Sequence, residues 1–329
     1  MLRVLLPVAL CAALLSSSVR AEDEPLHFGL VASLSPQSLQ ELWQPLLDDM
    51  TAVIGRKVVA DTYDDYAGVI WAMGADRVQI AWTGNKSAIE AVDRANAEVA
   101  FQSIDKDGRP GYWSTLIVPA ASPLTNERDV LANAARLSFG YGDANSTSGY
   151  AVPSYYLFAL NHVDPYAAFR RVMQGNHESN FLAVAEGRAD VATSNNIYLE
   201  QFRERWPEKA KAVKVIWTSP LIPSDPILWR KTLPETLKNR IRVFFLQYGR
   251  EAPNKPAERV EREKRILARM TWSGIKLSSD RQLIPIRQME LYHARLAAEA
   301  DRSLSGDQRR QRLSIIDASL TALAPMAAR

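Results

Sequence analysis

From Leu26 onward, short apolar runs alternate with helix-length amphipathic segments, and this alternation restricts the chain to an open mixed or parallel sheet covered by helices. Residues 26–31 read as a first strand. Behind it Trp43, Leu46, Leu47 and Met50 recur at helical spacing, which predicts a helix over 36–54, capped by Ser35 and kinked at Pro45. Strands over 57–63 and 78–82 follow, separated by a short helix over 66–73. A helix over 86–95 then leads to strands over 99–104 and 114–118. Near Pro119 the composition turns small and polar and a second alternating set begins. It contains a helix over 126–135, strands near 137–140, 169–173 and 189–193, a helix over 180–186, and extended stretches over 213–217 and 226–229. Helices over 234–248 and 259–270 and one from 286 to the C-terminus complete the α/β chain. The expected layout is two lobes, 22–117 with 230–300 and 118–229, followed by a C-terminal helical extension over 301–329. Two chain crossings join the lobes and leave a cleft.

The first residues read as an export leader. Arg3 precedes an apolar run over 4–15, and Val19-Arg20-Ala21 supplies the small-residue pattern for cleavage after Ala21. Leu10 before Cys11 argues against a lipid anchor. Removing 21 of 329 residues leaves 308 and takes away the single cysteine, so the mature chain has no disulfide, thiol nucleophile or cysteine metal site. The leader carries Arg3 and Arg20 and no acid, so the net charge of +3 becomes +1, which argues against nucleic acid or a membrane surface as partner. No later stretch approaches the roughly 18 apolar residues of a membrane helix.

Within the second lobe, Asn145-Ser146-Thr147-Ser148-Gly149 lies between an apolar run and the helix-like run 150–160. A strand that turns through hydroxyl residues into a helix presents unpaired amides, side-chain donors and the positive end of the helix dipole to an anion. Pro153 belongs in the opening turns, so Ser146, Thr147 and Ser148 are expected to cap the helix. An ordinary Asx or Ser turn explains the same residues.

Ligands of open sheets bind beyond the carboxyl ends of the strands, where further candidates fall. Tyr66 follows the second strand and Tyr112 opens a later one; each is a phenol donor or a packing residue. His177 is expected in a polar loop before a helix, as an anion donor or as a cap. No second His or Cys stands at metal-ligand spacing. Asp225, between Pro223 and Pro226, is a turn former that would attract a cation if it faced the cleft. The motifs of nucleophile elbows, phosphate loops, zinc proteases and dinucleotide cofactors are absent, and Ser146 with His177 lacks a recognisable third member for acyl-transfer chemistry. The chain therefore reads as a non-enzyme without metal or cofactor.

Several segments resemble the periplasmic phosphonate-binding proteins of bacterial ABC importers. They include Asp64-Asp65-Tyr66-Ala67-Gly68-Val69-Ile70, Ile80-Ala81-Trp82-Thr83-Gly84-Asn85, Pro110-Gly111-Tyr112-Trp113-Ser114, Gly142 to Gly149, Gly175-Asn176-His177-Glu178, Asp190-Val191-Ala192-Thr193, Ser219 to Pro226 and Leu283-Ile284-Pro285-Ile286-Arg287-Gln288. The resemblance implies a two-lobed, type II periplasmic binding-protein fold that closes on a phosphonate and delivers it to a membrane permease and its ATPase. It implies that Ser146, Thr147 and Ser148 hold the phosphonate oxygens, with Tyr66, Tyr112 and His177 donating around them and Asp225 meeting a ligand amino group. A homodimer through the C-terminal helix is also implied.

The chain departs from the pattern at Ile197. Members that favour aminoalkylphosphonates carry a second acid there, and Glu200 would replace it only through a shift of helical register. The expected ligand is accordingly 2-aminoethylphosphonate held by Asp225 alone, or an unaminated alkylphosphonate. Phosphite or another small phosphorus oxyanion, and a periplasmic anion-sensor role, are the alternatives.

Overall fold

The computed structural model describes residues 24–327, so the leader and the cleavage expected after Ala21 lie outside the described residues. The chain opens with β1 (Leu26–Leu30), α1 (Pro36–Ile54), β2 (Val58–Thr62), α2 (Tyr66–Gly74), β3 (Ile80–Trp82), α3 (Asn85–Arg94) and β4 (Ala97–Asp105). It crosses through β5 (Gly111–Tyr112) to β6 (Ser114–Pro119), α4 (Glu127–Asn133) and β7 (Ser138–Tyr141). A helix wound wide over Thr147–Ala151 and Ser154–Phe158 follows, then α5 (Pro165–Ala168), β8 (Arg171–Gln174), α6 (His177–Ala185), β9 (Val191–Asn195), α7 (Asn196–Arg205), α8 (Pro207–Lys211) and β10 (Val213–Thr218). It returns through β11 (Ile222–Pro223) to β12 (Pro226–Arg230), α9 (Glu235–Gln247), α10 (Ala257–Arg269), β13 (Trp272–Leu277), α11 (Ile284–Ala300) and α12 (Gly306–Ala327).

Two mixed sheets result, ordered β13-β4-β12-β3-β1-β2 and β10-β6-β9-β7-β8. β1 runs parallel to β2 and β3, and β7 parallel to β8 and β9, so the carboxyl ends of these strands gather at one side of each sheet. The crossings themselves pair as a small antiparallel ribbon, β5 with β11, in which Tyr112 faces Ile222 and Gly111 faces Pro223. A β-carbon on Gly111 would stand 1.9 Å from the Ile222 carbonyl oxygen, so only glycine permits this approach. The ribbon is the hinge. It lies several residues before the expected boundaries at 117/118 and 229/230, because the compositional change at Pro119 marks the far end of β6 while β12 already belongs to the first sheet.

Local chemistry accounts for most elements. In α1, Ser35 Oγ accepts from the Ser38 amide and Gly55 closes the helix at φ 71°. Pro45 leaves the Glu41 carbonyl without its helical donor, and Arg269 Nη2 lies 3.4 Å from that oxygen, so the helix runs through the proline. The buried face of α1 carries Trp43, which packs against Phe28 at 5.3 Å, Trp82 at 5.3 Å and Trp272 at 5.5 Å between ring centroids.

Three sequence expectations change. The last helix is not continuous from 286: Ser305 Oγ accepts from the Gln308 amide while Gln308 Oε1 accepts from the Ser305 amide, a reciprocal capping box that starts α12 as a new helix. β13, missed in the sequence because Ser273 and Gly274 interrupt its apolar pattern, pairs with β4 at the edge of the first sheet. α6 begins at His177, three residues earlier than expected, because Asn176 Oδ1 caps it by accepting from the Ser179 amide.

Candidate functional site

Five helices begin at the cleft between the lobes. Their first residues are Tyr66, Asn85, Thr147, His177 and Asn196, behind the cap positions Asp65, Gly84, Ser146, Asn176 and Asn195. Bonds across the cleft tie these starts together. The Lys86 amide donates to Thr147 Oγ1 at 2.9 Å, the Tyr66 amide to Asp143 Oδ2 at 3.4 Å, and the His177 amide to the Ser33 carbonyl at 3.1 Å. Lys86 offers only its backbone here, since its ammonium is held by Glu90 and Glu290 at 2.8 and 2.9 Å. The positive field at this point is therefore supplied by helix ends and neutral donors.

The turn from β7 into the wide helix is built by close backbone approach. A β-carbon on Gly142 would lie 2.6 Å or less from Gly149 backbone atoms, and the Gly142 amide donates to the Gly149 carbonyl at 3.0 Å. Asp143 Oδ1 accepts from the Asn145 amide at 2.7 Å, closing an Asx turn. Ser146 is the cap, its Oγ accepting from the Gly149 amide at 3.1 Å. The expectation that all three hydroxyl residues cap is thus corrected: Thr147 and Ser148 form the first turn, which is wound so that the Ala151 amide reaches the Ser146 carbonyl at 3.0 Å. Pro153 tolerates this position because the carbonyls its missing N–H leaves free are bonded elsewhere. Gly149 O accepts from Thr193 Oγ1 at 2.8 Å, and Ser148 O from Ser114 Oγ at 2.6 Å.

Ser148 Oγ receives the Asn195 carboxamide at 3.0 Å and lies 3.3 Å from His177 Nε2. His177 is 4% exposed, which corrects the loop placement, and its ring stacks on Tyr198 at 4.9 Å. The Tyr198 hydroxyl bonds Ser33 Oγ at 2.6 Å across the cleft. Burial depresses the imidazole pKa to about 3, so the ring is neutral at physiological pH. A nucleophile–base pair of Ser146 and His177 does not form; His177 Nε2 faces Ser148, and the Asn195 carboxamide nitrogen lies 3.4 Å from that same ring nitrogen. Asn195, Tyr198 and Ser33 were missed in the sequence. The only signal available was Asn195-Asn196 directly after a strand, a cap pattern shared by many helices.

Tyr66 is 3% exposed, and burial raises its phenol pKa, with the Ser146 side chain acting in the opposite direction. Tyr112 is also buried, but its single proton goes to Asp225 Oδ1 at 2.9 Å. Asp225 sits two residues past the hinge strand β11, and desolvation lifts its carboxyl to about 7 against the lowering effect of that bond. Beside this pair opens a chamber of about 40 Å³ whose walls include Trp43, Trp82, Trp272, Ile197 and Gln201. Glu200 stays outside the chamber lining, engaged with Lys106 across the cleft at 2.9 Å. The structure thus brings Tyr66, Ser146, Thr147, Ser148 and His177 to one group of helix starts, and Tyr112, Asp225 and Ile197 to the adjoining chamber.

Residues 28–283 match a family described as the periplasmic substrate-binding protein of phosphonate ABC transporters. The phosphonates-binding periplasmic protein of Escherichia coli K12 is 44% identical over 299 residues, spanning 91% of this chain and 86% of that protein. The crystal structure of a binding-protein component of an ABC phosphonate transporter from Pseudomonas aeruginosa aligns with a TM-score of 0.87 at 44% identity, covering 93% of this chain and 98% of that one. A Prochlorococcus marinus protein solved with methylphosphonate shares the fold at 18% identity and a TM-score of 0.68, over 80% of this chain and 96% of its own. The two-lobed type II architecture expected from the sequence agrees with these structures.

Proposed function

The chain belongs to the periplasmic substrate-binding proteins of phosphonate ABC transporters, and from that premise we propose that it grips the phosphonate group between the five converging helix starts. Proteins of this family work in the periplasm, bind rather than transform their ligand, and serve a membrane permease and its ATPase. The observation that carries the residue-level reading is the meeting of Ser146, Thr147, Ser148, Tyr66 and His177, from both lobes, at a point where helix dipoles favour negative charge and the Lys86 ammonium is held by Glu90 and Glu290. A doubly charged phosphonate held by neutral donors competes with no internal salt bridge, and donors from both lobes make its binding and closure of the hinge one event.

Calorimetric titration of the mature protein with methylphosphonate tests this reading. Ser148→Ala and Tyr66→Phe should each weaken binding by about ten- to a hundredfold, the range for a lost hydrogen bond to a charged group. Unchanged affinity in both variants would remove these residues from the grip. Turnover of the ligand would point instead to a hydrolase.

Two finer assignments belong to the same proposal. The leader is cleaved after Ala21, which the mass of the exported protein reads directly. A homodimer forms through α12, where Ile315 is 63% exposed beside the buried Ile316. Light scattering of the chain with and without residues 306–329 separates dimer from monomer.

A further inference from the structure

Two helices of the second lobe, α6 and α7, meet the first lobe along one short strip that runs from the turn after β1 into the opening of α1. The Tyr198 hydroxyl and the His177 amide bond Ser33. Beyond Ser33 the contacts leave the grip. The Ser35 amide, at the cap of α1, donates to Glu178 Oε2 at 3.4 Å, and Arg205 Nη1 donates to Ser38 Oγ at 2.5 Å. Arg205 Nη1 also lies 3.9 Å from Glu178 Oε2, and its Nη2 lies 3.6 Å from Glu41 Oε2. None of Ser35, Ser38, Glu41, Glu178 and Arg205 lines the chamber beside Asp225.

The placement of Glu178 sets this contact apart from a surface ion pair. α1 is 19 residues long, its first turn carries no acid of its own, and the positive end of its dipole meets the second lobe through the Ser35 amide. Glu178 supplies that carboxylate from across the cleft, with a side chain only 12% exposed. Arg205 ends α7, where a cation is favoured, and its guanidinium lies over the Trp206 ring at 4.7 Å, so a neighbour in its own lobe orients the fork that reaches Ser38. Ser38 is 3% exposed, and its hydroxyl is already fixed by Ser35 Oγ at 2.7 Å. The Arg205–Glu41 pair, exposed at both ends, adds little.

We propose that Glu178 and Arg205 latch the second lobe onto the start of α1 and set how long a bound phosphonate is retained. They are positioning residues that act through the contact between the lobes. Bonds that exist only while the lobes meet stabilise that arrangement by the same amount whichever ligand lies in the cleft, so the latch scales all affinities together and discriminates none. Opening precedes release, so the effect falls on the dissociation rate. The inference rests on the lobes closing over a phosphonate, as proposed above, and not on the individual grip residues.

The test measures binding of methyl-, ethyl- and 2-aminoethylphosphonate to the mature protein and to its Glu178→Gln, Arg205→Met and double variants, with stopped-flow tryptophan fluorescence separating association from dissociation. Each single substitution should raise Kd about three- to tenfold, by the same factor for all three ligands and through faster dissociation. The double variant should lose less than the product of the two factors, because Glu178 and Arg205 belong to one network. Glu178 also stands in the first turn of α6 beside His177, whereas Arg205→Met leaves the α6 start and the grip residues intact, which separates a latch from a loosened α6. A loss in Glu178→Gln alone, a factor that differs between ligands, a loss carried by slower association, or an unchanged Kd in both single variants would overturn the latch while the grip stands. If the unsubstituted protein does not bind methylphosphonate, closure over a phosphonate fails and the latch with it. Should Glu178→Gln fail to fold, Arg205→Met decides the question.

Discussion

Asp225→Asn should stabilise the ligand-free protein at pH 8 and leave it almost unchanged at pH 4. The carboxyl is held at about 7 in the folded state by burial, against an ordinary value of 3.8. Between those two values the folded chain binds more protons than the unfolded one, so stability falls as pH rises through the window from about 4 to 7 and stays at its lower level above it. At face value a shift of that size corresponds to about 4 kcal/mol at 1.36 kcal/mol per unit. Because Asp225 is partly open to the chamber, where water screens its charge, the expected gain is reduced to about 1–2 kcal/mol. Asparagine keeps an acceptor for the Tyr112 hydroxyl, so the substitution removes the charge and spares the hydrogen bond. Urea unfolding of both proteins at pH 4 and pH 8 reads the difference directly. A gain that is equal at the two pH values, or a loss at pH 8, would refute the claim that Asp225 carries a desolvation cost. The residue would then be an ordinary turn former. The stability gained at pH 8 should be accompanied by weaker binding of cationic tails, since the desolvated carboxylate is the group those tails would meet.

Other consequences can be measured independently. Gly111→Ala forces a β-carbon onto the Ile222 carbonyl at the hinge ribbon, and an overlap with backbone should destabilise the protein by on the order of 2–4 kcal/mol; an unfolding midpoint equal to wild type would show that the ribbon yields freely. Lys106→Ala removes the ion pair with Glu200 across the cleft mouth, and all phosphonates should lose affinity by the same factor, below about fivefold and smaller still in high salt. A loss confined to one ligand would place Lys106 in tail recognition instead. His177, with its pKa lowered to about 3 by burial, should remain neutral in the free protein from pH 5 to 8, and nitrogen-15 NMR showing an imidazolium at pH 6 would contradict the buried placement.

Legibility in the sequence followed the range of the interactions. α1 matches its expected span, 36–54, because Ser35, Gly55 and the Trp43-Leu46-Leu47-Met50 spacing are local signals. α12 also announces itself locally, through Ser305 and Gln308, although the reading over 286 to the C-terminus passed over that capping box. β13 could not be found this way, because its place depends on pairing with β4, some 170 residues earlier in the chain. At the site, Ser146 to Ser148 stood out as hydroxyls before a helix. Nothing near His177 in the chain signalled that it would stack on Tyr198 and lose its charge to burial.

The sequence by itself determined the alternating α/β architecture, the hydroxyl-rich turn and the isoleucine at position 197, since hydrophobic period, turn chemistry and motif are properties of neighbouring residues. The contacts of the site were decided only in three dimensions. Tyr112 gives its proton to Asp225, Glu200 is drawn off by Lys106, and three tryptophans drawn from α1, β3 and β13 gather beside Ile197. Each of these depends on desolvation and contact between segments that the sequence keeps far apart, and burial is a quantity that exists only once the lobes are folded against each other.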